Sequence, residues 1–250
     1  MKFFFTALLV LSGCAIYQDV MAQVLYNDAT LFINNSASLY VGGDFTNTAT
    51  ANFSNNGTAT ITGNVTNDQV ISSYTGKIIF NAGATQTLSG TAAIFTKDLE
   101  INNAAGIILN TTLKADGTVA FTNGIITAIA APLWFRASAT HTGVANAAHV
   151  NGYVVKEGTG NFNYPVGDGT RYQRVRVNAS SNADGIRVRY VPGDAGDAPF
   201  SPAGASSVPL LYHNAREYWD ISPLSAARGT VTIYWDDYNN PGITSRAHLT

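Results

Sequence analysis

From residue 24 to about residue 127, β-branched and aromatic residues alternate with small polar ones in short runs, and Asn and Gly gather between the runs. Leu31-Phe32-Ile33, Ser38-Leu39-Tyr40-Val41, Thr58-Ala59-Thr60-Ile61-Thr62 and Lys77-Ile78-Ile79-Phe80 are examples. The pattern predicts strand and turn, repeated. After the N-terminal segment, no stretch sustains the i, i+3, i+4, i+7 apolar spacing of an amphipathic helix. The expected fold class is therefore all-β.

The runs recur with a fixed period. Gly43-Asp44-Phe45-Thr46-Asn47 is echoed twenty residues later by Gly63-Asn64-Val65-Thr66-Asn67, and at the same offset Asn35 aligns with Asn55, Ser38 with Thr58, Val41 with Ile61 and Ile33 with Phe53. Such a period marks a solenoid, whose coils bury their apolar sides only by stacking on one another. The rhythm persists through Leu99-Glu100-Ile101-Asn102-Asn103, Gly106-Ile107-Ile108-Leu109-Asn110 and Thr118-Val119-Ala120-Phe121-Thr122, although the letters drift. Three runs per coil of about twenty residues suit a three-sided parallel β-helix over residues 23–150, with Gly or Asn at the corners. Asn56-Gly57 and Asn123-Gly124 are also hairpin signals, which makes a β-sandwich the structural rival.

The chain changes character at residue 151. Residues 151–190 carry more charge and read as a closing β module, and residues 191–209 are dense in Pro, Gly, Ala and Ser, as a linker is. Glu217-Tyr218-Trp219-Asp220-Ile221 and Thr230-Val231-Thr232-Ile233-Tyr234-Trp235 alternate with period two, so residues 210–250 read as the start of a β-sandwich. A sandwich normally needs about seven strands, and the expectation is a truncated domain.

Residues 1–22 read as an export signal. Lys2 supplies the positive start, Phe3 to Leu11 the apolar stretch, and Val20-Met21-Ala22 a cleavage site before Gln23. Leu11-Ser12-Gly13-Cys14 also fits a lipobox, which makes lipidation of Cys14 the alternative anchor. Cleavage after Ala22 would leave a mature chain without cysteine, since Cys14 is the only one. The apolar stretch is too short for a confident span and no comparable run follows, so no transmembrane helix is expected in the mature chain.

Composition narrows the functional classes. Only 12% of the residues are charged, the net charge is -2, and the hydrophobic share is 46%. No long-range field gathers nucleic acid or an anionic membrane surface. Polysaccharide-cleaving β-helices need carboxylates converging on one groove, yet Asp44, Asp68, Asp98, Glu100 and Asp116 are scattered among turns, and Asn64 replaces Asp44 one period on. They read as turn residues. Asp194-Ala195-Gly196-Asp197 and Asp236-Asp237 with Asn239 and Asn240 match no calcium loop, and His141, His149, His213 and His248 have no paired ligand spacing. Neither catalytic residues nor a metal or cofactor are expected. Trp134, Trp219 and Trp235 are the candidates for stacking on sugar rings, with core filling as the competing role. Thr58, Thr60 and Thr62 do not make a flat hydroxyl ladder, because Tyr40 and Gly42 occupy the aligned positions.

Gly83-Ala84-Thr85-Gln86-Thr87-Leu88-Ser89-Gly90, Leu99-Glu100-Ile101-Asn102-Asn103-Ala104-Ala105-Gly106 and Asn123-Gly124-Ile125-Ile126-Thr127 resemble the repetitive surface proteins exported by Bacteroidota. Val150-Asn151-Gly152-Tyr153-Val154-Val155-Lys156, Phe162-Asn163-Tyr164-Pro165-Val166-Gly167 and Arg171-Tyr172 look like the element that follows the repeats there, and Glu217 to Ser222 like the start of their sandwich. The resemblance implies passage through the type IX route, guided by a sorting domain not visible in this sequence. It transfers no catalytic residue. The expected function is that of an exported, adhesin-like surface or extracellular protein without catalysis, whose partner is an extracellular glycan or another cell surface. The alternative is a carbohydrate-binding or polysaccharide-degrading β-helix protein.

Overall fold

Each run of alternating residues is only a few positions long before a polar corner interrupts it, and so each coil consists of short strands. The computed structural model describes residues 24–71, 74–182, 184–197 and 215–234. The first coil is β1 (Leu25–Asn27), β2 (Thr30–Ile33) and β3 (Ser38–Val41), and the second is β4 (Phe45–Asn47), β5 (Asn52–Asn55) and β6 (Thr58–Ile61). The third contains β7 (Val65–Asn67) and β8 (Lys77–Phe80), and the fourth β9 (Gln86–Ser89), β10 (Ile94–Thr96) and β11 (Asp98–Asn102). The fifth is β12 (Ile107–Leu109), β13 (Leu113–Ala115) and β14 (Thr118–Asn123). In the sixth, β15 (Ile126–Phe135) runs along two sides, and β16 (Thr140–Thr142) makes the third. β17 (Val150–Lys156) begins another turn, again along two sides.

Equivalent strands of successive coils pair in parallel, and the chain is an all-β, three-sided solenoid of about seven turns. The twenty-residue offset holds where Phe45 pairs with Val65 and Ser38 with Thr58. On the second side it does not. β2 pairs with β5 at an offset of 22, so Ile33 stands beside Asn55 and Leu31 beside Phe53. Farther on the offset ranges from 19, between Thr58 and Lys77, to 24, between Ile126 and Val150. Corners absorb these insertions while inward-facing positions stay in register.

The Asn-Gly pairs sit at coil corners and make no hairpins. A Cβ on Gly57 would lie 2.2 Å from the Ala37 carbonyl oxygen of the preceding coil. At Gly124, where φ is 101°, it would lie 1.8 Å from the Asn103 carbonyl oxygen. Glycine is needed at both for close stacking of backbone on backbone, and at Gly124 for a left-handed conformation as well.

Beyond the solenoid come β18 (Gly160–Tyr164), β19 (Val166–Gly167), β20 (Val175–Asn182), β21 (Ile186–Val191), a 3-10 turn at Ala195–Asp197, β22 (Tyr218–Pro223) and β23 (Ala227–Ile233). β19 adds in parallel to β17, whereas β21 pairs antiparallel with β17 and β22 with β21. β18, β20 and β23 form a separate antiparallel sheet. Val188 and Tyr190 of one layer and Val175 and Val177 of the other belong to one buried cluster, a partial β-sandwich at the end of the solenoid. β22 and β23 extend sheets that begin before residue 191.

The core is continuous across this change of topology. Leu113, Leu133, Val154 and Val188 occupy successive strands in register, each fully buried. Burying a side chain of this size contributes roughly 1.5–3 kcal/mol. Part of the polar interior is a ladder: Asn27 donates to Asn47, and Asn47 to Asn67, each at 2.8 Å. Among the described residues, no helix is long and apolar enough to cross a membrane.

Candidate functional site

Alternation decides what faces outward. Because Leu113, Leu133 and Val154 point inward, their neighbours Lys114, Trp134 and Val155 take the outer face of the same strands, and Phe95 precedes them on β10. The row continues onto β21 with Arg187, which pairs with Val155. Phe95, Lys114, Trp134 and Arg187 are half-buried, and Val155 is sealed at 1% exposure.

Lys114 holds its ammonium 4.1 Å from the centre of the Trp134 ring and 5.4 Å from that of Phe95. Tyr74 packs on the opposite flank, its ring centre 5.4 Å from that of Phe95. Partial burial pushes the Lys114 amine below its ordinary value, against the opposing pull of Glu157. Burial also pushes the Tyr74 hydroxyl up, with Asp116 adding to the shift. The Trp134 indole N–H donates to Glu157 Oε1 at 2.7 Å, and Glu157 Oε2 accepts from Arg136 Nε at 3.2 Å. Arg136 Nε lies 3.6 Å from Asp116 Oδ1. The result is a row of half-buried rings and cations along one side of the solenoid.

The three tryptophans have separate fates. Trp134 lies in this row, with its edge committed to Glu157 and a face occupied by Lys114. Trp219 pairs with Tyr190 across β21 and β22, meets its ring edge-on at 5.4 Å, and points its N–H at the Gln173 carbonyl at 3.4 Å. That is the inward side of the layer. Trp235 lies outside the described residues, as do Cys14, the rest of the segment 1–22, His213, His248, and Asp236-Asp237 with Asn239 and Asn240.

The scattered carboxylates have structural work. Asp44 Oδ1 accepts the backbone N–H of Asn64 at 2.7 Å, Asp68 Oδ1 that of Thr91 at 2.9 Å, and Asp98 Oδ1 that of Thr118 at 2.7 Å. Each joins one coil to the next. Glu100 pairs with Lys77 on the outer face of the third side. Asp194 accepts the Gly196 N–H at 2.7 Å, the use expected of a turn residue. Among the described residues, no three His, Cys, Asp or Glu side chains converge as metal ligands.

His141 and His149 point into the protein. His141 meets Phe121, Phe135 and Phe162 edge-on, and its Nε2 lies 2.6 Å from the Asn163 carbonyl oxygen. His149 Nε2 accepts the Gly169 N–H at 3.2 Å, which leaves Nδ1 to donate to the Ala145 carbonyl, also at 3.2 Å. Burial lowers the pKa of both rings.

Sequence reasoning found Trp134 but not Phe95, Lys114 or Arg187. A signal did exist: Phe95, Lys114 and Trp134 are 19 and 20 residues apart, the solenoid period itself. No family model matches the chain, and neither the curated proteins nor the solved structures yield a match.

Proposed function

We propose that this protein is an exported, adhesin-like surface solenoid that acts by binding and does not turn over a substrate. The outward row Phe95, Lys114, Trp134 and Arg187 carries the reading, because it sets half-exposed rings and cations side by side along one face. Asp44, Asp68 and Asp98 support it, since their carboxylates are engaged in holding coils together. The fold suits display: stacked coils with a continuous core make a stiff rod that presents one face along its length.

Export rests on the N-terminal segment. The expected mature N-terminus is Gln23 for a released or otherwise retained protein, and acylated Cys14 for an anchored one. The test is fractionation of the cells that make the protein, protease shaving of intact cells, and mass spectrometry of the mature N-terminus. Surface-accessible protein starting at either residue supports the reading. Protein confined to the cytosol with Met1 retained overturns it.

A further inference from the structure

Arg187 and Arg189 lie two positions apart on the outward face of β21, and both stack on one ring. Their guanidinium carbons are 4.5 and 4.7 Å from the centre of Tyr153, on the adjacent strand β17. Neither forms an ion pair among the described residues, and the Nε of each is shielded from solvent without an acceptor. Asp220 faces Arg189 across the β21–β22 ladder, but its Oδ1 accepts from the Ser222 hydroxyl at 2.8 Å. Arg187 faces Ser222.

Several other cations have polar partners. Arg136 pairs with Glu157, Lys156 donates to the Arg136 and Ala137 carbonyls, and Arg174, which also stacks on a tyrosine, donates to Asn163 Oδ1. Among the described residues, Arg187 and Arg189 thus form a pair of like charges on one ring with no ion pair, faced by the single carboxylate of Asp220, and an anion bound beside them relieves their repulsion. A guanidinium presents a planar fork that fits a carboxylate with two parallel hydrogen bonds.

We infer that Arg187, Tyr153 and Arg189 form a binding platform for the ring carboxylates of an acidic polysaccharide. The class of ligand follows from the rest of the row. Trp134 and Lys114 lie on the same face, and three strand spacings of about 4.8 Å put Lys114 roughly 14 Å from Arg187. A single small anion reaches one end only. An extended polymer with repeating carboxylates engages both ends and gains from the linkage. The inference rests on the binding reading proposed above and names its ligand.

The test is calorimetric titration of the purified chain with polygalacturonate, its carboxyl-reduced counterpart, dextran sulfate and poly-glutamate, together with galacturonate monomer. The expected result is saturable binding to polygalacturonate that is at least tenfold tighter, per site, than binding of the monomer, and weak binding to the other three polymers. The Arg187→Lys, Arg189→Lys double variant keeps the charge but loses the fork, and is expected to bind at least tenfold more weakly with an unchanged melting temperature. An Arg174→Gln, Arg176→Gln variant, with Arg174 just before β20 of the other sheet and Arg176 within it, is expected to bind within twofold of the parent. Equal binding of the carboxyl-reduced polymer or of poly-glutamate, or tighter binding of dextran sulfate, overturns the assignment of carboxylate on a sugar chain. If polygalacturonate binds the parent and the lysine variant alike, this site is wrong while the binding reading stands. If no polymer binds, the polysaccharide assignment fails, and the surface reading still answers to the fractionation test.

Discussion

Asn47 donates its side-chain Nδ2 to Oδ1 of Asn67, one coil farther on, at 2.8 Å, and both amides are buried beside the aliphatic and aromatic core. Asn47 also accepts from Asn27, and Asn67 passes the series on to the Ala92 and Ala93 carbonyls. A buried amide is tolerated only when its donors and acceptors are met, and stacking identical coils meets them with the same residue. Replacing Asn47 by Ala strands an Asn27 donor and an Asn67 acceptor. The expected loss is about 2–4 kcal/mol, read from the midpoint of urea unfolding.

Coil spacing sets the second expectation. Ala at Gly124 would force a Cβ to within 1.8 Å of the Asn103 carbonyl oxygen at a φ of 101°. The variant should lose more than about 2 kcal/mol. At Gly83, where an added Cβ meets nothing within 4 Å, the same substitution should stay within about 0.5 kcal/mol of the parent. Equal effects at the two positions would contradict the stacking argument.

Acid should weaken the fold in two stages. His141 and His149 are held below the ordinary histidine value by burial, so the unfolded chain binds the proton more readily than the folded one. Their contribution is full above the unfolded value of about 6.5 and is lost as pH falls through it toward the folded values. Burial alone would raise the Asp168 carboxyl, but hydrogen bonds from Thr170 and Arg171 and the charge of His149 hold it below its usual value. Its contribution is present above about pH 3.9 and disappears as pH drops through the folded value. The melting temperature should therefore fall between pH 8 and pH 5.5, and less steeply in His141→Gln. A flat profile over that range would count against the buried, neutral rings.

Lys114 and Trp134 offer a measurable coupling. A double-mutant cycle with Lys114→Ala and Trp134→Ala, followed by urea unfolding, should give an interaction of about 0.5–1 kcal/mol, the range of a partly exposed cation over an indole. Additive single effects would mean that the 4.1 Å approach contributes nothing.

The solenoid was legible because its inward positions repeat. The two matching pentapeptides end in Asn47 and Asn67, the ladder residues, and the alignment of Ser38 with Thr58 is the observed strand register. The alignment of Ile33 with Phe53 missed by two residues, since the corner between β4 and β5 is longer than the one between β1 and β2 and sequence offset carries no record of which corner grew. The outward row was harder to see. Phe95, Lys114 and Trp134 keep the period but share no side-chain type, so nothing in the letters marks them as one surface. Arg187 and Arg189 join Tyr153 only through antiparallel pairing of β21 on β17, a long-range contact that local alternation does not encode.

Binding through the outward face without cleavage of the bound chain is what the proposed function requires. The most direct measurement mixes the purified chain with polygalacturonate and follows bound polymer and solution viscosity in the same sample over hours. Saturable binding at constant viscosity and polymer length is expected. A steady fall in viscosity, with new chain ends appearing, would contradict it and establish a polysaccharide-degrading enzyme instead.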